Sequence, residues 1–102
     1  MTSSPIEVSA PLAKGSKITG DALVVELSDG RVMSVPVAWY PRLAHATAEE
    51  CADSRLVGGG QGIRWPGLDE DISVEGLLAG CRSGEPPASL ERWLASRRGV
   101  SP

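Results

Sequence analysis

Asp29-Gly30-Arg31-Val32-Met33-Ser34-Val35-Pro36-Val37-Ala38-Trp39-Tyr40-Pro41-Arg42-Leu43 is the stretch on which the fold turns. It opens on an Asp-Gly pair, a strong hairpin signal. A type I′ turn needs positive φ at both central residues, and glycine supplies one without a Cβ clash. The returning strand, residues 31–37, puts Met33, Val35 and Val37 on one face. Pro36 has no N–H to give to a ladder, so the end of this strand belongs at an edge or is already leaving the sheet. On the N-terminal side, residues 22–27 place Leu23, Val25 and Leu27 on one face and Val24 and Glu26 on the other. That alternation is the signature of a half-buried strand. Before it, Gly20-Asp21 reads as a tight turn and Lys17-Ile18-Thr19 as a short strand, with regular structure starting near Ser16.

On the C-terminal side the pattern becomes helical. Pro41 to Ala46 reads as a single turn, and Thr47-Ala48-Glu49-Glu50 fits a capping box that opens a helix running to about Leu56. Gly58-Gly59-Gly60 stops it. Ile63-Arg64-Trp65 is a fourth short strand, ended by Pro66-Gly67. Ser73 caps a second helix over residues 74–79, with Gly80 at the stop position. Residues 82–87 have the composition of a linker. Residues 89–98 make a last helix with Leu90, Trp93 and Leu94 on one stripe. The order predicts an α+β fold: a two-layer sandwich in which a small antiparallel sheet (a β-meander) is covered by short helices, plus a C-terminal helix. Residues 1–15 read as a flexible N-terminal segment, 16–81 as the α+β domain, and 82–102 as linker and C-terminal helix.

Composition sets the limits. A chain of 102 residues makes one domain. With three Trp, one Tyr and no Phe, aliphatic residues must fill most of the core, and the tryptophans are expected to anchor packing. Trp39 and Trp65 read as core, with Tyr40 open between core and surface. The net charge is −3. Through residues 49–75, Glu49, Glu50, Asp53, Asp69, Glu70, Asp71 and Glu75 stand against only Arg55 and Arg64. Such a surface repels phosphates, so no nucleic acid is expected as a direct partner. No leading apolar segment reads as a signal peptide, and no run approaches the ~20 residues of a membrane span. The chain therefore reads as cytoplasmic, without membrane partners, and with Cys51 and Cys81 reduced.

Few residue patterns suggest chemistry. Asp69-Glu70-Asp71 could hold a divalent cation or receive an arginine-rich partner. The plainer reading is negative charge placed before a helix start, where the dipole favours it. A hard-cation cage also wants more oxygens than one short loop offers, so no metal and no cofactor is expected. Gly58-Gly59-Gly60-Gln61-Gly62 follows a helix and opens a strand, the reverse of a phosphate loop, and reads as a flexible connector. His45, the single histidine, has no nucleophile or metal ligand at a recognisable spacing. The chain is thus expected to be non-enzymatic.

The blocks Leu27-Ser28-Asp29-Gly30-Arg31, residues 35–43, Ala46-Thr47-Ala48-Glu49-Glu50 and residues 65–80 (Trp-Pro-Gly-Leu-Asp-Glu-Asp-Ile-Ser-Val-Glu-Gly-Leu-Leu-Ala-Gly) resemble DUF2442, a family of short bacterial domains of unknown function. The resemblance covers about residues 17–81. It implies a small two-layer α/β fold and an accessory or antitoxin-like role beside a neighbouring gene product. A regulatory, ligand-sensing role like that of relatives fused to helix-turn-helix regions is the alternative. Ser54 stands where relatives often carry an aromatic residue, and Arg64 where they often carry His. No catalytic residue is implied. The expectation is a protein-binding module with an unidentified protein partner, self-association being possible. Its candidate contacts are Tyr40, Arg42, Asp69, Glu70, Asp71, Glu75 and Trp93. The last helix is expected to dock, with Trp93 largely buried and Arg97 and Arg98 exposed.

Overall fold

The structure, a computed structural model, describes residues 11–99. It is an α+β fold with two three-stranded antiparallel meanders. The first consists of β1 (Ala13–Thr19), β2 (Ala22–Leu27) and β3 (Val32–Pro36), in that order across the sheet. β1 starts at Ala13, which is buried, so residues 13–15 belong to the sheet rather than to a loose N-terminal segment. The rest of that segment, residues 1–10, lies outside the described residues.

The β2–β3 hairpin forms at Asp29-Gly30, with Gly30 at φ +94° as a left-handed turn position demands. The turn is nevertheless not type I′, because Asp29 does not take a positive φ. Gly30 N–H donates to the Leu27 carbonyl and Leu27 N–H to the Arg31 carbonyl. The loop is therefore three residues long, a type I turn closed by a left-handed glycine. Asp29 selects it: its carboxylate accepts from Arg31 N–H at 3.1 Å and from Arg31 Nε at 2.9 Å.

A 3-10 turn (Val37–Trp39) leads into α1 (Pro41–Ala44) and α2 (Ala48–Ala52). The capping box is complete: Glu50 N–H donates to Thr47 Oγ1, and Thr47 N–H donates to Glu50 Oε1. α2 ends at Ala52, four residues short of the sequence expectation. Leu56 instead pairs with Ile63 in the second meander, made of β4 (Arg55–Val57), β5 (Gly62–Trp65) and β6 (Glu70–Ser73). Ladder hydrogen bonds outweigh one more turn of an exposed helix. β6 was hidden from sequence reasoning because three of its four residues are polar. Asp69, left-handed at φ 53° and ψ 46°, reverses the chain after a 3-10 turn (Pro66–Leu68), so that Glu70 returns opposite Trp65. α3 (Val74–Leu78) follows, capped by Ser73 Oγ, which accepts from Gly76 N–H at 2.9 Å.

Leu23, Val25, Leu27 and Val35 of the first sheet share one core with Ile63, Trp65 and Ile72 of the second, closed by Leu43, Leu68, Val74 and Leu77. Trp65 is 1% exposed and its Nε1 donates to the Cys51 carbonyl, which fixes α2 to β5. Trp39 is half-buried against this core, with the Arg82 guanidinium 4.7 Å above its ring. The glycine run is a structured turn (Gly58–Gly60) with all three residues at left-handed φ, closed by Gln61 N–H on the Gly58 carbonyl, not a loose connector. Gly60 is buried at φ +107°, and a Cβ there would lie 2.6 Å from the Ala13 carbonyl oxygen. Only glycine lets this turn come up under β1.

The last helix, α4 (Pro87–Gly99), docks on its own domain. Trp93 is half-buried between two guanidiniums, Arg42 at 4.9 Å and Arg97 at 4.5 Å from its ring centroid. Arg97 is not left in solvent as its place near the helix end suggested. Its Nη1 and Nη2 donate to Glu50 at 2.8 and 2.7 Å. The Arg98 side chain lies outside the described residues. The ion pair joins the basic helix to the acidic middle of the chain within one subunit.

Candidate functional site

The candidate site is a cleft of about 540 Å³ between β6 and the segment that links α3 to α4, residues 81–86. The linker is tied down at its start. Tyr40 Oη donates to the Cys81 carbonyl at 2.8 Å, and Ser83 N–H donates to the Trp39 carbonyl at 3.0 Å. Tyr40 is 4% exposed, so although it borders the cleft its ring is a core residue that positions the linker. Arg42 is likewise consumed internally. Its Nε and Nη2 grip the two oxygens of Glu85 at 2.9 and 2.6 Å, and its Nη1 donates to the Leu68 carbonyl at 2.8 Å. Both partners of that pair are largely buried, and a fork-to-fork pair of this kind is the strong form of ionic hydrogen bond. Glu85 also accepts from Ser89 Oγ at 2.7 Å, which secures the first turn of α4. The hydrogen bonds from Arg42 lower the Glu85 pKa, with burial opposing them.

The three consecutive acids divide. Asp69 and Asp71 both accept from Arg64, at 3.1 and 2.7 Å, on the exposed side of β6. None of the three caps α3; Ser73 does. Glu70, between them in sequence, lies opposite buried Trp65, on the other face of β6 from Asp71; all three border the cleft, and Glu70 is the half-buried one. Its carboxylate has no hydrogen-bond partner among the described residues. Burial raises its pKa, Arg42 opposes that rise, and the neighbouring Glu85, Asp71 and Asp69 add to it. Glu75 is exposed on α3 and does not line the cleft. Trp93 lies behind Arg42, outside the cleft. The structure thus brings Arg42, Asp69, Glu70 and Asp71 to one place and leaves Glu75 and Trp93 apart. Sequence reasoning missed Glu85 and Ser89; Glu85 precedes two prolines and reads as linker. Its one signal is a carboxylate four residues before a serine at a helix start.

A second hollow of about 560 Å³ lies between the end of β1 and α1–α2, walled by Ile18, Val37, Leu43, Ala48 and Cys51. Burial, with a smaller contribution from Glu50, raises the Cys51 pKa, which keeps the thiol protonated as a packing group. Among the described residues no three His, Cys, Asp or Glu side chains converge as metal ligands. No helix among them is long and apolar enough to cross a membrane.

This chain belongs to the DUF2442 family, described as a protein of unknown function, whose family model matches residues 17–83. A protein of unknown function from Rhodospirillum rubrum, known from its crystal structure, is similar with a TM-score of 0.67 and 25% sequence identity, over 76% of this chain and 95% of that one. An uncharacterized protein from Chromobacterium violaceum, solved by NMR, shares the fold with a TM-score of 0.63 and 22% identity, over 84% of this chain and 75% of that one. No curated protein matches the chain.

Proposed function

We propose that this DUF2442 chain is a non-enzymatic protein-binding module. Its recognition surface is the cleft beside β6, and its partner presents an arginine- or lysine-bearing segment there. The observation that carries this reading is Glu70: a half-buried carboxylate facing an open cleft without a hydrogen-bond partner among the described residues. Burying a carboxylate without compensation costs free energy. An incoming guanidinium would offset that cost with charge-assisted hydrogen bonds worth about 1.5–3 kcal/mol. The other cleft carboxylates are already held, Asp69 and Asp71 by Arg64 and Glu85 by Arg42. Glu70 is the one left to recognise a cation. An accessory, antitoxin-like role fits such a surface, since covering a basic segment of a partner is a way to silence it.

Calorimetric titration of the full chain tests this, with a blocked heptapeptide of alternating arginine and valine as probe. The wild type is expected to bind it, Glu70→Gln to bind it about tenfold more weakly, equal to 1.4 kcal/mol, and a glutamate–valine peptide not to bind. Equal binding of the two peptides, or no effect of Glu70→Gln, would overturn the assignment.

A further inference from the structure

The cleft is also bordered by a sheet edge. Among the described residues β6 is the outer strand of its meander, paired with β5 alone. Which of its backbone groups face outward follows from the ladder. Val74 N–H donates to the Gln61 carbonyl at 2.9 Å, so Gln61 and Val74 are a hydrogen-bonded pair. In an antiparallel ladder such pairs alternate with non-bonded ones. Ile63–Ile72 and Trp65–Glu70 are therefore bonded, while Gly62–Ser73 and Arg64–Asp71 are not. The N–H and C=O of Asp71 and the N–H of Ser73 point away from β5, toward the side where the cleft lies. The four residues of β6 present an edge of roughly 13 Å.

We propose that the partner enters this cleft as an extended strand, pairing its backbone with Asp71 and Ser73 along the edge of β6 and presenting a basic side chain to Glu70. This rests on the protein-binding reading above and adds the mode of recognition. Backbone pairing supplies affinity, and alternate side chains supply selectivity, as in other strand-addition complexes. The linker that forms the other wall is fixed by Tyr40 and by the Arg42–Glu85 pair, so an incoming segment meets a wall already held in place. Charge decides the occupant: Arg64 holds Asp69 and Asp71 and Arg42 holds Glu85, so Glu70 is the cleft carboxylate with no guanidinium hydrogen-bonded to it among the described residues, which favours a basic segment and disfavours an acidic one.

The test uses the same arginine–valine heptapeptide and two N-methylated versions, methylated at its odd or at its even positions. Titrations into the isotope-labelled full chain are followed by NMR. Strand addition predicts that one methylated peptide loses at least about tenfold in affinity while the other binds nearly as the parent. It also predicts cross-strand contacts between peptide α-protons and Asp71 or Ser73. If all three peptides bind alike with shifts confined to the cleft, strand addition fails while the binding cleft stands. If none binds, both fail. If the free chain is a dimer with contacts between two copies of β6, the occupant is a second copy and the basic partner is overturned. The Asp71→Asn variant, which keeps the backbone edge, should retain the methylation pattern.

Discussion

At the scale of single residues, glycine and glutamate carry most of what can be tested. Gly30 and Gly60 both take left-handed φ, but only Gly60 is also crowded, with the Ala13 carbonyl where its Cβ would sit. Gly30→Ala should therefore cost about 1 kcal/mol from backbone strain alone. Gly60→Ala should cost at least about 2 kcal/mol, since β1 must move as well. Thermal melts that rank the two equally would show that the turn does not support β1. Glu50 is held down to about 2 by Arg97 first and by the Thr47 N–H second. A carboxylate whose folded pKa is depressed stabilises the fold above its unfolded value and loses that contribution as pH falls through the folded one. The docked state of α4 should weaken between pH 4.5 and about 2. The Trp93 indole N–H resonance should report it, and Glu50→Gln should remove the part of the pH dependence that comes from this pair, Glu85 at the start of α4 accounting for the remainder. An indole signal constant across that range would contradict the pairing. The capping box was legible from Thr47 and Glu50 alone, because it is a local pattern. The partner of Glu50 was not, because Arg97 lies 47 residues away.

Elements show the same division. β2, β3 and their Asp-Gly hairpin could be read from alternation and turn chemistry, although the turn type could not, because the Asp29 side chain decides it through its own hydrogen bonds. β4 and β6 are short, largely exposed or polar, and exist only because β5 pairs with both. Such strands carry no alternation of their own to detect. The apolar stripe of α4 was visible in Leu90, Trp93 and Leu94, whereas the ionic clasp that seats it was not. That clasp makes a measurable prediction. Arg42 and Glu85 should couple by about 1–3 kcal/mol in a double-mutant cycle of Arg42→Ala and Glu85→Gln, as contacting, desolvated partners do. Arg42→Lys should recover little of this, since one ammonium cannot serve both Glu85 oxygens and the Leu68 carbonyl. Strict additivity in chemical denaturation would show that the linker is not held by this pair.

For the whole molecule, two meanders and a returning helix build a cleft whose walls come from distant parts of the chain: Tyr40 and Arg42, the strand β6, and residues 81–89. Asp69-Glu70-Asp71 drew attention in the sequence as a charged cluster. Only the folded chain separates its members: all three border the cleft, but Asp69 and Asp71 are bonded to Arg64 while Glu70 has no hydrogen-bond partner among the described residues. The distinction depends on strand geometry, in which neighbours alternate between faces. On the reading proposed above, the chain meets its partner at this cleft rather than at the hollow beside Cys51 or the exposed face of α3. Amide chemical-shift mapping of the full chain with the arginine–valine heptapeptide tests it most directly. Saturable shifts confined to residues 69–73 and 81–89 are expected. Saturable shifts centred instead on the Ala44–Cys51 hollow, or none at millimolar peptide, would contradict it.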